Sequence, residues 1–282
     1  MLKRLIPAAF ARALRDAVRR ASPAHRAFYP HQPGAESYVV PKTPESAEYH
    51  PSSPLPVPPP ERRLYGDSTE GWLALGEDNV RVMRELLREH GASIEEAGRI
   101  LDLGCREGRM IRWLADLADT CEIWGTDVSA TDILWCKQHL SPPFHFATTT
   151  LFPHLPFEDH YFGLVYAGSV FTHIDDLADA WFQELRRVLR PGGMLYITIH
   201  DRHTASLVGQ WDHPQLNAFA QNAEFQRYAR SDFGMFTLGR HDTSQVFYDV
   251  AYLQKSLEPF FATQAVVQEA YTYQTAVLLE RV

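Results

Sequence analysis

The sequence has only three cysteines in 282 residues, too few and too scattered for a disulfide framework or a zinc knuckle. No run of about 18 consecutive apolar residues is present, so no membrane-spanning helix is predicted. The net charge of −8 disfavours nucleic acid as a partner of the whole surface. Apolar residues nevertheless make up 45% of the chain, enough for a sizeable buried core. These features predict a globular protein of the cytoplasm.

Charge and proline are unevenly distributed along the chain. Residues 1–30 hold seven basic side chains and one acidic one, so the remainder carries a charge of −14. Twelve of the 19 prolines lie in the first 60 residues. Residues 1–65 are therefore expected to form a basic amphipathic helix followed by a proline-rich arm. For the helix, residues 2–21, three interpretations stay open: a solvated or dimer-packing helix, peripheral contact with an anionic membrane, or a cleaved organelle-targeting segment.

From about residue 66, strand signals alternate with helical spacing. A first helix is expected to be capped by Asp78 and to stop at Gly91. A second helix is expected over residues 111–118, and a third is expected to be capped by Ser129. The alternation predicts an open, doubly wound, parallel α/β sheet. The five predicted strands are residues 99–103, 122–126, 144–148, 162–167 and 194–199.

Two β-rich runs, residues 261–269 and 273–279, follow one another so closely that they predict a hairpin. They complete a Rossmann-like, mostly parallel, seven-stranded sheet with an antiparallel last strand. The predicted domains after the arm are a core at 66–201, an acceptor-binding lid at 202–248, and a helix with the closing hairpin at 249–282. The scattered aromatic residues of 202–246 would either stack on an acceptor or form a satellite core under a long loop.

The segment from Ile100 to Arg109 carries the most specific chemistry. A strand delivers Asp102 at its carboxyl end, and a loop with Gly104 and Gly108 then turns into a helix. Nineteen residues after Gly108, Asp127 ends the next strand, where a carboxylate can hold both hydroxyls of a ribose. The glycine spacing matches neither a dinucleotide fingerprint nor a phosphate-binding loop. An acid in the loop suits a ligand with positive charge, such as an amino group or a sulfonium.

This segment resembles the first motif of class I S-adenosylmethionine-dependent methyltransferases. Asp127, residues 155–166, residues 185–193 and the closing hairpin resemble the later motifs of that family, in the same order. The resemblance implies a methyltransferase with S-adenosyl-L-methionine as its cofactor. It also implies that Asp102, Gly104 and Gly108 surround the methionine part, that Asp127 holds the ribose and that Val128 packs on the adenine. The full set of cofactor residues implied is Asp102, Gly104, Cys105, Arg106, Gly108, Asp127, Val128 and Ser169.

Two positions depart from the family pattern. Arg106 stands where the family has its middle glycine, and its side chain must point away if the cofactor is to fit. No acid follows the third strand, so backbone groups or the hydroxyls of residues 148–150 are expected to contact the adenine.

Histidines after the fourth and fifth strands are candidates for the general base that a hydroxyl acceptor requires. They are His173, His200 and His203. His200, Asp201 and His203 together could instead bind a divalent metal ion, but two histidines and one carboxylate so close in sequence are weak evidence, and no metal is predicted. The predicted acceptor is a small molecule or a saccharide, methylated on a hydroxyl oxygen. Two alternatives stay open: a non-catalytic, cofactor-binding scaffold that recruits a partner through the N-terminal arm, and a dinucleotide-dependent oxidoreductase. The sequence predicts no oligomeric state.

Overall fold

The computed structural model describes residue 40 and residues 42–63, 68–239 and 244–282. The predicted basic helix at residues 2–21 lies outside the described residues. Within the described ranges, no helix is both long and apolar enough to cross a membrane.

A seven-stranded sheet forms the centre of the molecule. Its strands are β1 (Arg99–Leu103), β2 (Glu122–Asp127), β3 (His145–Thr148), β4 (Phe162–Ala167), β5 (Leu189–Ile199), β8 (Phe261–Tyr271) and β9 (Gln274–Arg281), in the spatial order β3-β2-β1-β4-β5-β9-β8. All neighbouring strands from β3 to β5 pair in parallel, whereas β9 runs antiparallel to both β5 and β8. This confirms the predicted Rossmann-like fold class. Strands β6 (Met235–Leu238) and β7 (Gln245–Tyr248) form a separate antiparallel pair.

Helices cover both faces of the sheet. Because side chains alternate along a strand, Ile100 packs into the core on one face and Leu101 into the core on the other. The helices are α1 (Thr69–Glu89), α2 (Ala130–His139), α3 (Ala178–Val188), α4 (Arg202–Leu207), α5 (Pro214–Gln221), α6 (Ala223–Tyr228) and α7 (Val250–Leu257), with 3-10 helices at Pro60–Arg62 and Ile111–Leu117. Helix α1 and residues 111–117 contribute to the first core, and α3 and α7 to the second.

Two helices differ from the sequence prediction. Helix α1 begins at Thr69, nine residues before Asp78, because Ser68 caps it: Ser68 Oγ accepts a hydrogen bond from the Gly71 amide at 3.0 Å. Trp72, in the first turn of the helix, is buried. Residues 111–117 form a 3-10 helix rather than an α-helix. Their fully apolar buried positions, 111, 114 and 117, recur every three residues, which is the 3-10 period.

The proline-rich arm packs against the domain over residues 42–63. Val57 is completely buried in a small cluster with Trp72 and Leu73. The guanidinium of Arg112, itself buried, donates to the Pro56 carbonyl at 3.0 Å, so a charged group of the domain satisfies the arm's backbone. The arm therefore contributes no separate core but extends that of the domain.

The segment after β5 builds a third core of its own. Helices α4 to α6 and the β6–β7 pair surround it, and its buried aromatic side chains are Phe219, Phe225, Phe233, Phe236, Phe247 and Tyr273. Trp211, by contrast, is 37% exposed. The satellite-core alternative therefore accounts for most of the aromatic residues in this segment.

Candidate cofactor-binding site

A cavity of about 320 Å³ opens where β1, β2 and β4 end. Parallel strands place their carboxyl ends at one edge, and in doubly wound sheets ligands bind in the crevice outside that edge. The walls come from the β1 loop, the ends of β2 and β4, the segment after β3, and the last residue of β8. The cavity therefore lies where the sequence places the nucleotide site.

The loop after β1 lies close to the segment that follows β4. Gly104 has a φ of +80°, and a Cβ there would lie 2.4 Å from Val170 Cγ2. Its amide donates to the Thr126 carbonyl at 2.7 Å, which ties the loop to β2. Gly108 also has a φ of +80° but faces Leu140, and it does not line the cavity. Both positions therefore require glycine, one for close approach and one for the turn.

Asp127 joins two loops at the wall of the cavity. Its Oδ2 accepts the Arg106 amide hydrogen bond at 2.9 Å, and its Oδ1 accepts that of Ser129 at 2.7 Å. Burial raises the pKa of this carboxyl, and the two amide donors act in the opposite direction by stabilising its charged form. The two contacts orient the carboxylate for a ligand with paired hydroxyl donors.

Asp102 is the most unusual group in the cavity, being only 3% exposed. Its Oδ2 has no hydrogen-bond partner among the described residues. Burial raises the pKa of this carboxyl to about 7, although the Tyr166 hydroxyl and the positive charge of Arg109 oppose the shift. Arg109 in turn is held by Asn79 Oδ1 at 2.8 Å and by the hydroxyl of Tyr271. A buried carboxylate oxygen of this kind suits a cationic group on a ligand.

Arg106, the residue in place of the family's glycine, adopts a left-handed backbone with a φ of +48°. Its Nε lies 3.6 Å from Glu107 Oε2 and 3.5 Å from Asp132 Oδ2. Burial raises the pKa of the Glu107 carboxyl, which also accepts a hydrogen bond from Trp72 Nε1 at 3.1 Å. The guanidinium is thus drawn towards two carboxylates at the edge of the loop.

The lining fits a ligand with a cationic end and a hydroxyl-rich middle. Asp102 has a free carboxylate oxygen within the described structure, Asp127 presents a carboxylate, and Gly104 leaves no room for a side chain. Seven of the eight residues predicted to bind the cofactor line the cavity: Asp102, Gly104, Cys105, Arg106, Asp127, Val128 and Ser169. Thr149 and Thr150 line it too, as the prediction of hydroxyl contacts requires.

Sequence reasoning missed three polar residues of the lining. Glu107 and Arg109 stand inside the motif quoted for the site, but nothing in that pattern shows that both are buried against the cavity. Tyr271 lies in the closing hairpin, some 160 residues away along the chain, and no local signal connects it with the loop.

Of the three candidate bases, only His173 lines the cavity. Its Nδ1 lies 2.8 Å from the Ser244 carbonyl oxygen, and burial lowers the pKa of its imidazole. His203 pairs instead with Glu269 at 2.7 Å, outside the cavity.

His200 is 1% exposed and lies in the third core, where its ring packs on Phe219, Phe247 and Tyr273. Neither of its ring nitrogens has a hydrogen-bond partner in the described part of the chain, and burial lowers its pKa to about 3. Asp201 caps α4 by accepting the Thr204 amide. No cluster of three metal-ligating side chains is found within the described ranges.

Comparison with known proteins places this cavity in a recognised domain. Residues 101–197 match the family model for a methyltransferase domain. The malonyl-[acyl-carrier protein] O-methyltransferase of Enterobacter lignolyticus is 33% identical over 100 residues, which cover 36% of this chain and 38% of that protein. The ubiquinone/menaquinone biosynthesis C-methyltransferase of Neisseria gonorrhoeae is 27% identical over 126 residues, covering 44% and 51%. The chain thus spans about half, or less, of the length of these curated relatives.

Solved structures support the same fold. The PH0226 protein of Pyrococcus horikoshii superposes with a TM-score of 0.54 at 18% identity, covering 77% of this chain and 93% of that one. Together with the ordered motifs, the family match at residues 101–197 supports the resemblance to S-adenosylmethionine-dependent methyltransferases and the cofactor that it implies. Residues 101–197 of this chain are therefore similar to a methyltransferase domain, on a fold shared with the solved structure.

Proposed function

We propose that this protein binds S-adenosylmethionine in the cavity described above and transfers its methyl group to a small-molecule acceptor. The observation that carries the proposal is the buried, unpartnered Asp102 oxygen within the part of the chain that matches the methyltransferase domain. When bound, the cofactor supplies a methyl group already activated by a sulfonium. The protein's tasks are then to hold the donor, position the acceptor and remove a proton where the acceptor is a hydroxyl.

Each end of the cavity has groups suited to one part of the donor. Asp102 would stabilise the positive charge of the methionine part, and Asp127 would accept hydrogen bonds from the ribose hydroxyls. Val128 would pack on the adenine, with Thr149 and Thr150 nearby. The two carboxylates thus match two parts of the methyl donor: Asp102 its cationic methionine end, and Asp127 the hydroxyls of its ribose.

The names of the relatives bear on the chemical class of the acceptor. The two curated relatives are by their names an O-methyltransferase and a C-methyltransferase, so the likeness supports small molecules as a class without selecting an atom. A histidine at the cavity wall could accept the proton that a hydroxyl oxygen loses on methylation, which fits the hydroxyl acceptor that we propose. A saccharide hydroxyl belongs to this proposed class as well.

His173 is the residue we assign to proton removal. A carbonyl oxygen can only accept, so the 2.8 Å contact with Ser244 places a hydrogen on Nδ1 and leaves a lone pair on Nε2. The lowered pKa keeps this imidazole neutral near pH 7, which is the form that accepts a proton. In-line displacement would then form the oxygen–methyl bond and break the methyl–sulfur bond of the sulfonium. The bonding electron pair would stay on sulfur, leaving a neutral thioether, S-adenosylhomocysteine, while the oxygen's proton passes to Nε2 of His173.

Calorimetric titration of the purified protein with S-adenosylhomocysteine, using NADH as a control, tests the donor site. Micromolar binding of the first compound alone is expected, and an acceptor screen should follow, beginning with small hydroxylated compounds and glycans. Binding of NADH alone would favour the oxidoreductase. Failure of both to bind would contradict the proposal, and cofactor binding without turnover on any acceptor would favour the non-catalytic scaffold.

Replacing Asp127 with alanine should weaken S-adenosylhomocysteine binding by about 1–3 kcal/mol, because hydrogen bonds to a charged acceptor are lost. The substitution also frees the Arg106 and Ser129 amides, so Asp127→Asn, which keeps one acceptor oxygen, should weaken binding less. Asp116→Ala removes an exposed carboxylate paired with Arg84 and serves as the control. An unchanged dissociation constant in Asp127→Ala would rule out the placement of the ribose.

Replacing His173 with glutamine should lower kcat by about 10²–10⁴-fold while S-adenosylhomocysteine still binds, as expected for loss of a general base. Turnover of an acceptor found in the screen is the measurement. His203→Gln is the competing variant, since His203 lies outside the cavity on an ion pair with Glu269. Full turnover in His173→Gln, together with loss in His203→Gln, would transfer the role to His203.

A further inference from the structure

Ser169, the second residue after β4, lines the cavity in an unfavourable backbone conformation. Its φ is +59°, in the left-handed region that residues with a Cβ rarely adopt. Such conformations persist only where the surrounding structure imposes them, and they cluster at functional sites. The neighbouring Gly168 is tightly enclosed, since a Cβ there would lie 2.9 Å from the Tyr271 ring and 3.1 Å from Met110 Sδ. Contacts from other parts of the fold therefore hold the backbone of Ser169 in this conformation.

Two buried side chains from other strands impose it. Thr198 on β5 is completely buried, and Gln274 on β9 is 4% exposed. The Ser169 amide donates to Thr198 Oγ1 at 2.7 Å. Thr198 Oγ1 donates to Gln274 Oε1 at 2.7 Å, and Gln274 Nε2 donates to Ser169 Oγ at 2.8 Å. The three residues thus form a closed ring of hydrogen bonds.

The direction of this ring follows from its donors. A backbone amide can only donate, so Thr198 Oγ1 accepts from Ser169 and passes its own hydrogen to Gln274. The amide oxygen of Gln274 is then the acceptor, and its NH₂ group must face Ser169 Oγ. Ser169 Oγ accepts from Gln274 and keeps its own hydrogen for another partner. Thr172 Oγ1 lies 3.2 Å from Ser169 Oγ and donates its own hydrogen to the Ser169 carbonyl at 3.0 Å, so it can accept a long hydrogen bond from Ser169. A ligand acceptor at a shorter distance would compete for the same hydrogen.

We infer that Gln274 and Thr198 are positioning residues for the cofactor site: they make Ser169 a hydrogen-bond donor aimed at an acceptor atom of the bound cofactor. The inference rests on the proposed function, because it names residues that act on the same cavity. Neither Gln274 nor Thr198 lines the cavity. Gln274 pairs with Tyr271, which does line it, so the test must separate an effect through Ser169 from one through Tyr271. Gln274 also belongs to the closing hairpin, which links this distant part of the chain to the donor site.

A double-mutant cycle between Gln274 and Ser169 tests the inference, with S-adenosylhomocysteine as the calorimetric probe. Gln274→Leu should weaken binding about 3- to 10-fold, the loss expected when one hydrogen bond is no longer held in place. Ser169→Gly removes the hydroxyl and adopts a positive φ without strain. In that background Gln274→Leu should change the dissociation constant less than twofold. Equal weakening in both backgrounds, or none in either, would overturn the inference.

Thr198 provides a second pair of variants that guards against a folding defect. Thr198→Ser keeps the hydroxyl and should bind like the wild type, whereas Thr198→Val keeps the shape, loses the hydroxyl and should weaken binding as Gln274→Leu does. Melting temperatures measured in parallel separate folding from binding. Equal binding by Thr198→Val and Thr198→Ser would contradict the inference while the wild type still binds. Absence of wild-type binding would instead contradict the proposed function itself.

Discussion

Replacing Asp102 with asparagine should weaken S-adenosylhomocysteine binding by about 10- to 100-fold at pH 8, because a charge-assisted hydrogen bond in a buried site is lost. The neutral amide has nearly the same shape, so the fold should survive. Asp102 is 3% exposed, and its Oδ2 has no hydrogen-bond partner within the described residues, so this oxygen is available to the ligand's cationic group. Calorimetry across pH values is the measurement.

The same carboxyl should make binding depend on pH. Burial raises its pKa to about 7, so only about a tenth of the protein carries the charged form at pH 6. Binding of a cation favours the charged form, so affinity should rise about tenfold from pH 6 to pH 8, with a proton released on binding at the lower pH. Arg109, Asp127 and Tyr166 also influence this pKa and remain in place in the asparagine variant.

Asp102→Asn should therefore flatten the pH dependence as well as weaken binding. Asp116→Asn, an exposed carboxylate paired with Arg84, should leave both the affinity and its slope with pH unchanged. Persistence of the wild-type slope in Asp102→Asn would show that another group titrates, and unchanged affinity would remove Asp102 from the donor site.

Replacing His200 with phenylalanine should make the protein markedly less sensitive to acid. In the folded protein burial lowers the pKa of His200 to about 3, from an ordinary value of 6.5. Below pH 6.5 the unfolded chain therefore binds a proton that the folded protein does not, so the free energy of unfolding falls as the pH decreases towards 3. Between pH 7 and pH 5 this single group costs about 2 kcal/mol.

The variant loses that cost because phenylalanine does not titrate. The ring of His200 already packs on Phe219, Phe247 and Tyr273, and its nitrogens have no hydrogen-bond partner in the described ranges, so an apolar ring suits the site. Denaturant unfolding at pH 5 and pH 7 measures the effect, with the exposed His154→Phe as the control. Equal losses of stability in wild type and His200→Phe would show that His200 is not buried in its neutral form.

The His200 variant also addresses the choice of base. Since His200 does not line the cavity, His200→Phe should bind S-adenosylhomocysteine like the wild type and keep its turnover. Loss of turnover with normal binding would restore the sequence-based prediction that His200 removes the proton.

Much of the architecture was accessible from local patterns. The apolar run at residues 162–167 predicts strand β4 with the bounds that it has in the structure, Phe162–Ala167. A short, continuous apolar run is typical of a strand that is buried on both faces of a parallel sheet. Ser129 was identified as the cap of α2 from its place before a helical pattern, and its hydroxyl does accept the Asp132 amide. The motif from Ile100 to Arg109 likewise placed the cavity, since a glycine loop after a strand must lie at the sheet's carboxyl edge.

Other features depended on contacts between distant residues. His173 and His200 both follow strands that end at the same edge, and nothing local distinguishes them. The third core covers His200, whereas Ser244 holds His173 at the cavity wall. Only the tertiary structure decides this, because it depends on where the segment after β5 packs.

The sequence by itself thus predicted the fold class, the cofactor and the loop proposed to receive it, because apolar period and glycine position act over a few residues at a time. The tertiary structure alone decided which polar groups are buried and how they are paired. Arg109 meets Tyr271, and Ser169 meets Gln274, across more than 100 residues of chain. Burial and pairing set the pKa and the orientation of a side chain, and they depend on every element that packs around it.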